Sequence, residues 1–128
     1  MSRNNRHRGL LLYLASAGLL LGCTAKTPAV SFEKDIKPIL DTMCVECHRQ
    51  DGEGSIASGL MLDSYAGLMR GTQFGRVVIP GDSLTSALTM LIEGRADPSI
   101  SMPHNEKEMD PAQVALIKTW VEQGAKDN

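Results

Sequence analysis

The stretch Cys44-Val45-Glu46-Cys47-His48 decides how the rest of the chain is read. Two thiols two residues apart, followed at once by an imidazole, fit three chemistries. A thioredoxin-like redox pair uses Cys-x-x-Cys next to a βαβ pattern, and the sequence carries no such pattern. A zinc site needs about four ligands. Apart from the leader described below, the chain offers only Cys44, Cys47, His48 and His104 as soft donors, with no second cysteine pair. The third chemistry is covalent attachment of haem. Each thiol adds to a vinyl group on one edge of the ring, and His48 folds beneath it to ligate the iron. Cysteine count, position and compartment all favour this third reading.

The compartment follows from the N-terminus. Arg3, Arg6 and Arg8 make a basic start, Gly9 to Leu21 is almost wholly apolar, and Leu20-Leu21-Gly22-Cys23 closes the run. A basic stretch, a short apolar stretch and a small residue before the cut make a secretory signal. Leu-x-Gly-Cys resembles the bacterial lipobox, which implies that Cys23 is acylated and becomes the first residue of the mature chain. There is no Arg-Arg pair, so a twin-arginine signal is not supported. No 18-residue apolar run is present, so no spanning helix is expected. The expected organisation is a signal over 1–22, a tether over 23–30 that includes Pro28, and one domain over 31–128. The lipoprotein resemblance places the protein in a bacterial cell envelope, held at the membrane through Cys23 and facing the periplasm. Thr24, where an Asp would imply retention at the inner membrane, points to the outer one.

The 128 residues are 42% apolar and 22% charged, a globular composition for one domain. Loss of Arg3, Arg6 and Arg8 takes Lys+Arg from 13 to 10 against 15 Asp+Glu, so the net charge moves from −2 to −5. That balance gives no case for nucleic-acid binding. It favours a redox partner protein with a basic docking face and a salt-sensitive association. Aromatics are scarce: Tyr13, Phe32, Tyr65, Phe74 and Trp120. A small domain has a marginal core, and one short of aromatics is poorer still. A covalent haem is a large flat body that would fill it.

Along the mature chain, Ser31 can cap a first helix with Phe32, Ile36, Ile39, Leu40 and Met43 at helical spacing. Pro38 predicts a kink or restart. Arg49 to Ser58, with Gly52 and Gly54, reads as a loop. Asp63 or Ser64 can cap a short helix through Met69. Val77-Val78-Ile79 reads as a short strand ended by Pro80-Gly81. Asp82 or Ser83 can cap a helix carrying Leu84, Leu88, Leu91 and Ile92, and Ala96 to Glu108 reads as a long loop. The last helix is the best defined. Asp110 is its cap, Pro111 its first residue, Gln113 completes a capping box, and Met109 can staple onto Val114. Val114, Ile117, Trp120 and Val121 line one face, and Gly124 ends it.

A haem needs a second axial ligand or an open site. Met43 is tied to the first haem Cys. Met61 and Met69 look like core, Met90 sits at a helix edge and Met109 belongs to the staple. Met102 lies in the loop Ser99-Ile100-Ser101-Met102-Pro103, where apolar packing does not explain it, and it is the expected sixth ligand. His104, two residues on, is the alternative. Arg70 and Arg76 can pair with a haem propionate or stay solvated.

These residues resemble monohaem c-type cytochromes, specifically the planctomycete-type cytochrome c domain. The matching pieces are Phe32-x3-Ile36-x-Pro38-Ile39-Leu40, Cys44-x-x-Cys47-His48, Gly59-Leu60-x-Leu62-Asp63-Ser64, Ile79-Pro80-Gly81-Asp82 with Ser86-x-Leu88, Met102-Pro103, and Ile117-x-x-Trp120-Val121-x-x-Gly124-Ala125. The resemblance implies an all-α, cytochrome c-like fold of about four short helices around one covalent haem c. It implies first and last helices that cross near the haem edge, and His48 and Met102 as axial ligands. The family usually reads Met-Pro-Pro, and here the second Pro is His104. The chain also lacks the proline that many small cytochromes place downstream of the haem His. His48 N–H then needs another acceptor, expected among the carbonyls of Gly59 to Leu62.

Two classes of function compete. An electron carrier keeps both axial ligands through the redox cycle, and the chain shows no acid/base pair for substrate chemistry. A haem enzyme or gas-binding sensor needs an open or displaceable sixth site, with His104 as its only distal histidine. Replacing the lipidated residue, Cys23→Ala, is expected to release a soluble protein into the periplasm. Fractionation of that variant with membranes would overturn the anchor.

Overall fold

The computed structural model describes residues 27–104 and 108–128. The signal, the tether as far as residue 26, Cys23 and Thr24 lie outside the described residues, as do positions 105–107. No strand is formed among the described residues. Five short α-helices carry the fold: α1 (Lys37–Met43), α2 (Glu53–Ser58), α3 (Tyr65–Arg70), α4 (Ala87–Ile92) and α5 (Pro111–Glu122).

The first helical segment opens as a wide π turn over Phe32–Ile36 and tightens into α1 at Lys37. The Ser31 hydroxyl accepts from Lys34 N–H and caps the start. Pro38 sits in the first turn of α1, where a missing N–H costs nothing. The expected restart at Pro38 is therefore a change of helix type. Phe32, Ile36, Ile39 and Leu40 point inward.

α5 forms as its caps predict. The Asp110 carboxylate accepts from Ala112 N–H at 2.8 Å, and Gln113 reaches back to Asp110 N–H at 3.2 Å. Met109 and Val114 line one cleft beside Ile92. Ile117, Trp120 and Val121 are buried. α5 packs on the opening π turn and on α4. Glu93, at the end of α4, pairs with Lys118 of α5 and with Arg95, both at 2.6 Å. The Lys118 bond, more than that of Arg95, holds its carboxyl below the usual range.

Three aromatic rings join the first segment, α3 and α5. Phe32 lies 5.2 Å from Tyr65 and 5.6 Å from Trp120, and Tyr65 meets Trp120 edge-on at 6.4 Å. Both polar tips are used: Tyr65 O–H donates to the Ala125 carbonyl and Trp120 Nε1–H to that of Lys126. The last residues close back on the first. Asn128 accepts from Ser31 O–H and Glu33 N–H through its carbonyl, and from Phe32 N–H through its side chain. Gln123 accepts from Val30 N–H and donates to Pro28.

Four sequence expectations are corrected. Residues 49–58 are not all loop, because α2 forms over Glu53–Ser58, ended by Gly59 at φ +77°. Val77-Val78-Ile79 makes no strand. No neighbouring segment pairs along it; instead the Val77 carbonyl accepts from Leu88 N–H, and Ile79 N–H is taken by the Ser86 hydroxyl. α4 starts at Ala87, not after Asp82. The Asp82 carboxylate accepts from Leu84 and Thr85 N–H in a turn of its own, which leaves Leu84 exposed. Finally, the segment expected to be loop from Ala96 carries a 3-10 turn over Pro98–Ile100.

Trp120→Ala should cost about 3–5 kcal/mol, the range for an aromatic truncated in a core. Tyr65→Phe should cost about 1 kcal/mol, for one lost hydrogen bond. Urea titration of the haem-loaded protein measures both, and equal losses would mean that the ring cluster is not the core's centre.

Candidate functional site

The site begins where α1 ends. Cys44 is its C-cap residue, and Cys47 N–H and His48 N–H both donate to the Cys44 carbonyl, at 3.2 and 3.0 Å. The chain therefore folds 44–48 into one tight turn with both thiols and the imidazole on it. Cys44 and Cys47 are half-buried, and neither is in a disulfide.

Downstream residues hold this turn from two directions. The Cys47 carbonyl accepts from Gly54 N–H at 2.9 Å and from Ser55 N–H at 3.1 Å, which docks the start of α2 on the turn. The His48 carbonyl accepts from Leu62 N–H at 2.7 Å, and His48 Nδ1 faces the Leu60 carbonyl at 3.3 Å. The acceptor expected among residues 59–62 is thus Leu60. With Nδ1–H donating to Leu60, Nε2 keeps its lone pair for a metal. His48 is buried, and burial is the main cause that pushes its imidazole below the ordinary value. The Leu60 bond works the other way, and His104 lowers it further. Neutral imidazole is the form that ligates.

The glycines read as loop punctuation have a different role. A Cβ on Gly54 would lie 2.6 Å from His48 Cε1 and 2.8 Å from Nε2, and one on Gly52 would lie 2.3 Å from the Cys47 carbonyl oxygen. Both contacts are closer than any side chain allows. Gly52 and Gly54 let the backbone close on the haem-motif turn, and sequence reasoning missed them. The available signal was their place, G-x-G within six residues of His48, where close backbone approach is the other meaning of glycine.

The expected sixth ligands lie on the loop after the 3-10 turn. Met102 is half-buried, and its N–H donates to the Leu91 carbonyl at 3.2 Å, tying the loop to α4. His104 is exposed. Arg70 and Arg76 are exposed on either side of the turn that follows α3.

The donor set fits a covalent haem. Two unbridged thiols share one turn with an imidazole whose far nitrogen is engaged, and a half-buried thioether lies on the loop tied to α4. Among the described residues no group of three or more His, Cys, Asp or Glu could hold a metal ion by itself. Zinc coordination by this turn would need such a group.

No curated protein and no solved structure matches the chain. The family model for planctomycete cytochrome C matches residues 44–106. That span opens on the first haem-motif cysteine and takes in α2, α3, α4 and the Met102 loop. The helical architecture, the turn at 44–48 and this match agree: the chain carries a planctomycete-type cytochrome c domain, whose chemistry is that of a haem-based electron carrier.

Proposed function

We propose that this chain is a lipid-anchored, periplasm-facing carrier of single electrons. In this reading one haem c is bound to Cys44 and Cys47, with His48 and Met102 as its axial ligands. The observation that carries the reading is the fixed imidazole: Leu60 engages Nδ1, Leu62 holds the His48 backbone, and Gly54 covers the ring. When bound, haem c supplies a one-electron iron couple.

The chain's own contribution is positional. A His48 held by its backbone and its ring nitrogen turns little between oxidation states, so little has to reorganise. Met102 offers a thioether, which favours reduced iron more than a second imidazole does. The bond to Leu91 ties its loop to a helix. In the mature chain His104 is the one imidazole besides His48, so a distal acid or base for enzyme chemistry would have to be that residue. The lipobox-like residues 20–23 support the anchor through Cys23.

A second ligand reading rests on a specific observation. His104 is exposed two residues from Met102 on the same loop, so it is the alternative for the sixth position.

Spectra of the oxidised and reduced holoprotein, with carbon monoxide added to the reduced form, separate these readings. Wild type should be low-spin, show the weak far-red iron–sulfur band, and resist carbon monoxide. Met102→Ala should lose the band, bind carbon monoxide and shift to lower potential, whereas His104→Ala should change none of these. A Met102→Ala protein that keeps its spectrum and potential would transfer the role to His104. A high-spin wild type that binds carbon monoxide would make the protein an enzyme or sensor. Gly54→Ala should lower the haem-to-protein ratio of the purified protein, because the new methyl displaces the His48 ring. An unchanged ratio would mean that the ring's position is not what limits attachment.

A further inference from the structure

From Ile56 on α2 to the turn after α3 the exposed surface is apolar and cationic, although the chain as a whole is acidic and Glu46, Asp51 and Glu53 are exposed nearer the haem motif. Ile56 on α2 is 74% exposed, and Phe74 is 84% exposed. They are parts of one braced surface. Gln73 N–H donates to the Ser58 carbonyl at 2.9 Å, and Gln73 Nε2 donates to that of Ala57 at 3.2 Å, pinning the Phe74 turn to the end of α2. The turn is closed on itself: Thr72 and Gly75 exchange backbone bonds at 2.8 and 3.2 Å, and Phe74 N–H donates to the Thr72 hydroxyl. Gly71 makes this closure possible. Its φ is +80°, and a Cβ there would lie 2.4 Å from the Gly75 carbonyl oxygen. Phe74 therefore stands at the tip of a rigid turn, held out in water at a cost that packing within the chain does not offset.

The charge around it is net positive. Residues 54–62 are uncharged, and between Asp63 and Asp82 the only charges are Arg70 and Arg76. Both are exposed, and neither makes an ion pair among the described residues. Glu53, one turn before Ile56, is the nearest carboxylate on α2, and with it counted the patch still has a net positive charge. Asp63 follows this uncharged run, just before α3. α2 is the element whose first residues bond to Cys47, so this patch borders the haem-motif turn directly.

We infer that Ile56 and Phe74, flanked by Arg70 and Arg76, form the face on which a redox partner with an acidic rim and an apolar centre docks. The inference rests on the electron-carrier reading and specifies its partner surface. A rigid exposed aromatic flanked by two unpaired arginines has the composition of an interface centre and its rim. Net charge alone implies a basic partner face. The local surface next to the turn implies the opposite sign for the docked contact, and local charge governs a docked pair because screening removes distant charges.

The test is electron exchange between the reduced holoprotein and a blue-copper protein of net negative charge, followed by stopped flow over a range of ionic strength. One electron leaves the ferrous haem iron, which becomes ferric, and reduces copper(II) to copper(I). The expected second-order rate constant falls as salt rises, although both proteins are net anions. Arg70→Glu and Arg76→Glu together should lower it about tenfold at low salt. Phe74→Ala should lower it several-fold at every salt concentration, with an unchanged haem spectrum. A rate that rises with salt in the wild type, or variants without effect, would overturn the inference. So would a Phe74→Ala spectrum with a displaced Soret band, which would show that haem covers the ring. A wild-type dimer in sedimentation that Phe74→Ala dissociates would give the face to a second copy and overturn it as well. A protein purified without covalent haem would fail the electron-carrier reading itself, an outcome separate from all of these.

Discussion

The hydrogen bond between His48 Nδ1 and the Leu60 carbonyl is the constraint around which the site is arranged. One contact fixes which nitrogen is protonated and how the ring is turned, and it ties residues 44–48 to residues 59–62. The neighbouring bonds act in the same direction. Leu62 N–H holds the His48 carbonyl, and Gly54 and Ser55 N–H hold that of Cys47. The turn that would bear the haem is therefore held by backbone groups on its carbonyl side and by a glycine against the ring. Side-chain choice matters little at most of these positions. The absence of a side chain at Gly52 and Gly54 matters a great deal.

The aromatic centre of the apolar core is built from other elements, while Cys44 and Val45 of this turn pack against the core and Leu60 and Leu62 belong to it. Phe32, Tyr65 and Trp120 pack together where the first segment, α3 and α5 meet, and the C-terminal residues bond back to residues 28–33. The N-terminal end of the described residues is thus braced by rings and hydrogen bonds. The end that carries the thiols is braced by backbone bonds to α2 and to 60–62. This division suits a small domain in which a covalent group supplies the remaining apolar mass, since side chains alone give so short a chain a marginal core.

Much of this was legible in the sequence where one residue type has one physical use. Ser31 as a cap, a cap at Asp63 or Ser64 (the structure uses Ser64), the box of Asp110 and Gln113, and the inward faces of the first and last helices follow from orphan N–H groups and from helical periodicity. That Cys44, Cys47 and His48 share one turn follows from their spacing. The misreadings arose where a residue has two uses. Gly52 and Gly54 signal a loop or a close approach, and only the fold shows the second. Asp82 signals a helix cap or a turn, and its carboxylate makes the turn. Val77 to Ile79 is β-branched, but its carbonyl and amide groups are taken by Leu88 and Ser86, so propensity had no partner strand to act on. Phe74 could be counted as a scarce aromatic, but its exposure depends on a turn closed by Gly71 that no local periodicity encodes.

The central claim is that the turn at 44–48 carries haem covalently, and intact mass under denaturing conditions tests it most directly. The mature protein, made in a host able to attach haem c, should gain the mass of one haem that persists through unfolding. A Cys44→Ser, Cys47→Ser double variant should gain none. Wild type that sheds its haem on denaturation, or that gains only the mass of a metal ion, would contradict the account.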